Sequence, residues 1–210
     1  MKHDSTSSTT IAVPLAESCP MTQPTTLPLS QFIGAKFSLS DASAEFAMDD
    51  DEAEFMLEIL NGVDWSEALC VFGEYVVRSH DAWEEGGNVG LFHGARLAGF
   101  YEGPNLWVHP DYRRLGLAIP LILAAAKLRG GSVLPPDFAT QGYSPAGLLA
   151  HTAAHLQTLL CAIKRNEAIP PEVLREYNIR DAGQFVQMFG AEILEELSCC
   201  QPPDSISPKN

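Results

Sequence analysis

Residues 106–122 read Leu-Trp-Val-His-Pro-Asp-Tyr-Arg-Arg-Leu-Gly-Leu-Ala-Ile-Pro-Leu-Ile, an order suited to holding an anion. A short apolar strand, Leu106-Trp107-Val108, delivers the chain into a basic turn, and that turn becomes the start of an apolar helix. The first N–H groups of a helix have no intrahelical partner, and the helix dipole puts partial positive charge on them. Arg113 and Arg114 add full charge, Gly116 lets the backbone approach an oxyanion closely, and Ala118 keeps the next position small. Such a turn asks for a phosphate or pyrophosphate.

A second pair with chemical potential is His151 and His155, four apart on a predicted helix and within metal-ligand reach of each other. Thr-Ala-Ala lies between them, without the Glu of the metalloprotease pattern, and no third ligand is evident, so a packing pair and no metal are expected. Five cysteines, Cys19, Cys70, Cys161, Cys199 and Cys200, form no CxxC pair. A disulfide framework or zinc ribbon is therefore not expected, and a reducing cytoplasm is the simplest home.

The elements that must position these residues follow from punctuation and period. Residues 35–39 read as a short strand. Phe55, Met56, Ile59 and Leu60 recur at helical spacing behind the acidic run Asp49-Asp50-Asp51-Glu52, which complements a helix start, and Asn61-Gly62 stops it. A second helix is predicted from Asp64 or Ser66 to Arg78, burying Leu69, Phe72, Val76 and Val77. Val89 to Phe92 and Arg96 to Tyr101 form a hairpin about His93-Gly94, with residues 106–108 as the next strand. A long apolar helix over 115–129 ends at Gly130-Gly131. Val133-Leu134 offers a scrap of strand before Pro135-Pro136. Ser144-Pro145 opens a helix to about residue 166, Pro170-Pro171-Glu172 a short one to Tyr177, and Asp181 another to about Leu197.

The extended pattern Val108-x-Pro110-x-Tyr112-Arg113-x-x-Gly116-Leu117-Ala118 resembles the acyl-CoA signature of the GNAT superfamily of N-acyltransferases, whose core is Arg/Gln-x-x-Gly-x-Gly/Ala. The order of elements over 35–129 is similar to the family's as well. The resemblance covers slightly under half of the chain, and the helical last third departs from the family pattern. It implies an α/β (α+β) fold with a GNAT-like mixed sheet flanked by helices, and acetyl-CoA as acyl donor. The pyrophosphate would sit on Arg113, Arg114, Leu115, Gly116, Leu117 and Ala118, with the pantetheine arm along Leu106, Trp107 and Val108. A backbone N–H there would stabilise the developing oxyanion. A base must deprotonate the amine, with Glu102 and His109 as candidates, and Tyr143 could return a proton to the thiolate. Each also has an ordinary reading: His109 as a strand-end cap, Glu102 as an exposed turn acid, Tyr143 as a packing residue.

Composition bounds the partners. The chain has 210 residues, 46% hydrophobic, enough for a core, and a formal charge of -14. That acidity disfavours bulk nucleic acid and anionic membranes, and favours a cationic amine acceptor: a small molecule, a basic protein or a modified nucleobase. No signal peptide is visible, and the longest apolar run, 115–128, is interrupted by Gly116 and Pro120, so no membrane span is expected. The expected organisation is a Ser/Thr/Pro-rich flexible arm over 1–31, a GNAT-like core over 32–134, a helical portion over 135–200 and a loose tail over 201–210. Two other readings stay open: a catalytically inactive binding or regulatory protein engaging a protein partner, and a turn that holds some other phosphate. A homodimer is also left open.

Overall fold

The computed structural model describes residues 27–34, 40, 42–83, 86–133 and 142–181, together with 183, 184 and 187. Five strands lie in space in the order of the sequence: β1 (Ala68–Phe72), β2 (Tyr75–His80), β3 (Asn88–His93), β4 (Arg96–Glu102) and β5 (Asn105–Val108). Each is antiparallel to its neighbour. The helices are α1 (Leu29–Phe32), α2 (Asp50–Leu60), α3 (Ala118–Leu128), α4 (Pro145–Lys164) and α5 (Pro171–Glu176). The fold is thus a mixed α/β one, a sheet with helices against it.

Pleating sends successive strand residues to opposite faces, and both faces are covered. Tyr101 of β4 joins Leu121 and Ile122 of α3 and Leu148 and Ala154 of α4 in the main core. Phe100, its neighbour, turns the other way and joins Trp107 of β5 with Ala53 and Leu60 of α2. Leu159, Leu160, Val173, Leu174 and Ile179 form a smaller cluster between α4 and α5.

The segment over 64–78, expected as a helix, is the hairpin β1–β2. Its apolar residues satisfy both periods, but Val71, Val76 and Val77 are stiff β-branched residues, and Gly73 supplies the turn with φ 61°. The hairpin β3–β4, the strand β5, and α2 through α5 match expectation closely. Ser144 caps α4 as its type predicts, accepting from the Gly147 N–H at 3.1 Å. The strand expected at 35–39 and most of the helix expected after Asp181 lie outside the described residues. At 133 the chain bends instead of extending into a strand, while Leu134 is outside them.

Ordered packing begins earlier than the boundary at 32. Phe32 and Ile33 are fully buried in the main core. Val133 N–H donates to Phe32 O (3.0 Å), and the Tyr143 hydroxyl donates to Ile33 O (3.0 Å). His155 Nε2–H donates to Leu27 O (2.9 Å), and the Leu29 N–H reaches Glu176. Residues 27–33 therefore strap α3, α4 and α5 together.

Two observations bear on what composition suggested. Cys161, on α4, is disulfide-bonded, which no local spacing foreshadowed. That pairing removes the cysteine argument for a reducing compartment. By length and composition α4 is apolar enough to cross a membrane, although half of that stretch is buried in this fold.

Candidate functional site

Val108 ends β5, and the chain then turns twice before α3. His109 caps a single 3-10 turn, Pro110–Tyr112, its Nδ1 accepting from the Asp111 N–H at 3.2 Å. Arg113 follows in extended conformation, its N–H used by Pro110 O at 3.2 Å. Arg114 then adopts φ 65°, a left-handed conformation that costs a non-glycine residue about 1 kcal/mol, and Gly116 adopts φ 74°. Leu117, 2% exposed, anchors the turn into the core and starts α3, which has no side-chain cap. Among the described residues nothing accepts from the backbone N–H groups of Arg114, Leu115, Gly116, Leu117 or Ala118. A Cβ built on Gly116 would meet nothing within 4 Å, so the space in front of these donors is open. The fit to an oxyanion is good: consecutive free donors, a helix dipole behind them, and room to approach.

The guanidinium of Arg113 is occupied elsewhere. Its Nε donates to Val108 O (2.9 Å) and a terminal nitrogen donates to Asp50 Oδ1 (2.5 Å). The same carboxylate oxygen accepts from the Trp107 indole at 3.1 Å. The indole N–H first, and Arg113 after it, hold the Asp50 carboxyl below the usual range. This clamp ties the first residue of α2 to β5 and to the basic turn. Asp49 is the cap of α2, accepting from Glu52 N–H at 2.7 Å, as expected of the acidic run. Nothing in the sequence links Asp50 to a residue 63 positions later.

β5 is an edge strand: β4 lies on one side, and among the described residues no strand pairs with the other. His109 N–H donates to Ala98 O, which fixes the phase of the ladder. In antiparallel pairing the hydrogen-bonded pairs alternate, so Phe100/Trp107 and Glu102/Asn105 are bonded across the ladder. The N–H and C=O groups of Leu106 and Val108 consequently aim away from β4, toward the open edge. Val108 O is the one Arg113 covers. The side chain of Trp107 is buried on the α2 face, while Leu106 and Val108 are half-buried toward α3.

Beside this edge a cavity of about 310 Å³ opens between α2, the β3–β4 turn and the end of β5. Asp50, Glu54 and Asn61 line it from α2, with Arg96, Trp107 and His109 opposite. The Arg96 guanidinium donates to His109 Nε2 at 2.8 Å and lies 3.7 Å from Asp111. A neutral imidazole accepts at one nitrogen only, so His109 accepts from one of these two donors and not from both.

Glu102 and Tyr143 are placed away from His109. Glu102 is 3% exposed at the far end of β4, on the α2 face, with Oε1 2.9 Å from His80 Nε2. Trp65 and Trp83 pack edge-on against the His80 ring. Burial pushes the Glu102 carboxyl up to about 8, against the pull of Arg129, and pushes the His80 imidazole down. Its Oε2 is buried without a hydrogen-bond partner. Ala82 N–H occupies His80 Nδ1 (3.2 Å), so the neutral ring carries its proton on Nε2 and donates to Glu102. The pair is a hydrogen bond between neutral groups at pH 7, although its geometry resembles an ion pair.

Tyr143 is buried under α4, and burial raises its hydroxyl pKa strongly. The histidine pair does not converge on a metal position. His151 Nδ1–H donates to Gly147 O (2.7 Å) and its Nε2 accepts from Tyr101 (2.8 Å), while burial pushes it down to about 4. His155 accepts from Tyr177 at 2.5 Å and donates to Leu27. No family model, no curated protein and no solved structure matches the chain.

Proposed function

We propose that this protein is an acyl-CoA-dependent N-acyltransferase on a GNAT-like core, most simply moving acetyl from acetyl-CoA to an amine. One observation carries the reading: a strand whose far edge pairs with no strand among the described residues runs directly into a turn of five N–H groups that have no acceptor among them, at the head of α3. A ligand with an amide-bearing arm and a pyrophosphate needs that juxtaposition. The pyrophosphate rests on the N–H groups of residues 114–118, and the outward groups of Leu106 and Val108 bond the arm as an added strand would. Bound there, acetyl-CoA supplies an acyl group already activated as a thioester. An outward N–H on β5 would donate to the thioester oxygen; as the amine nitrogen bonds to the acyl carbon and the C–S bond breaks, the amine's proton would pass to His109, directly or through water, and on to the departing thiolate, which leaves as free thiol. Glu102 and Tyr143, enclosed in the core, support the sheet and the strap in this account. In the family's pattern a further strand after α3 would splay from β5; residues 134–141, where it would lie, are outside the described residues.

The test is release of free thiol from acetyl-CoA across an amine panel. Val108→Pro removes one outward N–H without breaking a ladder bond, since proline is tolerated on a strand's open side. It is expected to lower kcat/KM at least about tenfold with the fold intact by circular dichroism, a loss of ~1.4 kcal/mol of transition-state stabilisation. His109→Ala is expected to lower kcat at least about tenfold. Unchanged turnover in both variants contradicts the assignment. The burial of Glu102 and Tyr143 favours a second reading, a non-catalytic acyl-CoA-binding protein; acetyl-CoA binding without turnover on any amine would select it.

A further inference from the structure

The cavity beside β5 has walls of opposite charge. Asp50 and Glu54 stand one turn apart on α2, and Arg96 stands across from them beside His109. Asp50 is engaged by Trp107 and Arg113, whereas Glu54 takes part in no ion pair among the described residues. Arg96 is half-exposed, 2.8 Å from His109 Nε2, over the Tyr112 ring and 3.7 Å from Asp111, with no close carboxylate partner among the described residues. Leu57, Leu97 and Trp107 make the remaining surface apolar. A ligand with a single charge is attracted by one wall and repelled by the other. A ligand with an ammonium and a carboxylate on neighbouring atoms satisfies both. At about 310 Å³ the cavity lies at the small end of ligand pockets, roughly 300–1,000 Å³, which suits a molecule of amino-acid size.

We infer that this cavity binds a zwitterionic α-amino acid with an apolar side chain, its ammonium at Glu54 and Asp50 and its carboxylate at Arg96. The inference deepens the acyltransferase reading and rests on it for the amine's fate, but the binding stands by itself. It narrows the acceptor class set by the whole-molecule charge, because the local field of a cavity decides what fits inside it. The ammonium wall adjoins Trp107 on the α2 face of β5.

The experiment titrates the full chain, by calorimetry, with L-leucine, L-leucinamide and N-acetyl-L-leucine, which share one side chain and differ only in charge. Leucine is expected to bind, and each singly charged analogue to bind at least about tenfold more weakly. Glu54→Gln is expected to erase the preference for leucine over N-acetyl-leucine, and Arg96→Gln the preference over leucinamide. Both side chains are solvent-facing, so the variants should keep the native circular dichroism spectrum. Absence of leucine binding at millimolar concentration overturns the inference; so does leucinamide or N-acetyl-leucine binding as tightly as leucine. Acetyl-CoA is titrated into the same sample. Its binding without leucine binding defeats the amino-acid site alone, whereas leucine binding without acetyl-CoA binding defeats the acyltransferase reading and leaves the amino-acid site standing.

Discussion

A carboxyl and an imidazole that share a buried position, as Glu102 and His80 do, titrate away from each other's charged form. Folded Glu102 holds its proton up to about pH 8, against 4.5 for the free side chain. Between those values the folded state binds more protons than the unfolded state, so stability falls as pH rises through that window. His80 acts in the opposite sense, and only where the unfolded imidazole is protonated, below about pH 6.5. The interval from about 6.5 to 8 therefore isolates Glu102. Glu102→Gln is expected to flatten the fall in stability over that interval, which urea unfolding at several pH values measures. The full effect of Glu102 across its window is at most on the order of 5 kcal/mol. An identical pH slope in both proteins contradicts the neutral assignment.

Sequence reading found the residues of the basic turn because their meaning is local: a helix start, two arginines and a glycine within four positions. It counted the Arg113 N–H among the open donors, and that N–H is used by Pro110 O. It missed the Asp50 clamp, the contact of Arg96 with His109 and the interment of Glu102. Each depends on which strand neighbours which, and a turn acid looks the same in sequence whether it faces water or tryptophan.

At the scale of elements, the close approach of β4, β5 and α3 holds the turn at the strand edge. Gly99 makes that approach tolerable: a Cβ there would lie 2.8 Å from Trp107 O and 3.4 Å from Leu121. Gly99→Ala must push β5 outward, and it is expected to cost about 1–3 kcal/mol and to weaken acetyl-CoA binding together with stability. Thermal unfolding and calorimetry on the one variant check both. The hairpin β3–β4 was legible because glycine and asparagine bracket its alternating apolar residues, and α4 because Ser144-Pro145 announces it. β1–β2 was not legible: its apolar spacing fits two periods, and only pairing with β3 decides between them.

At the scale of the molecule, the strap over residues 27–33 closes the fold by joining the start of the described chain to α3, α4 and α5. Phe32 is fully buried among them, and Phe32→Ala is expected to cost about 3–5 kcal/mol, read as a drop in the denaturation midpoint. A cost below about 1 kcal/mol would show the strap to be an accessory. Composition could not reveal this, since proline-spaced Ser/Thr sequence ends without a visible mark where packing begins. Nor could composition place charge: a chain of net charge -14 carries the Arg113-Arg114 turn as a local basic exception.

The central claim is that this turn and the edge beside it hold acetyl-CoA. Calorimetric titration of acetyl-CoA into the native chain, Gly116→Ala and Gly116→Glu tests it most directly. The alanine variant imposes the same backbone strain at φ 74° without charge, so it separates strain from repulsion. Saturable binding by the native chain, mostly retained with alanine and abolished with glutamate at unchanged circular dichroism, is the predicted result. No binding by the native chain at millimolar acetyl-CoA, or equal binding by the glutamate variant, would contradict it.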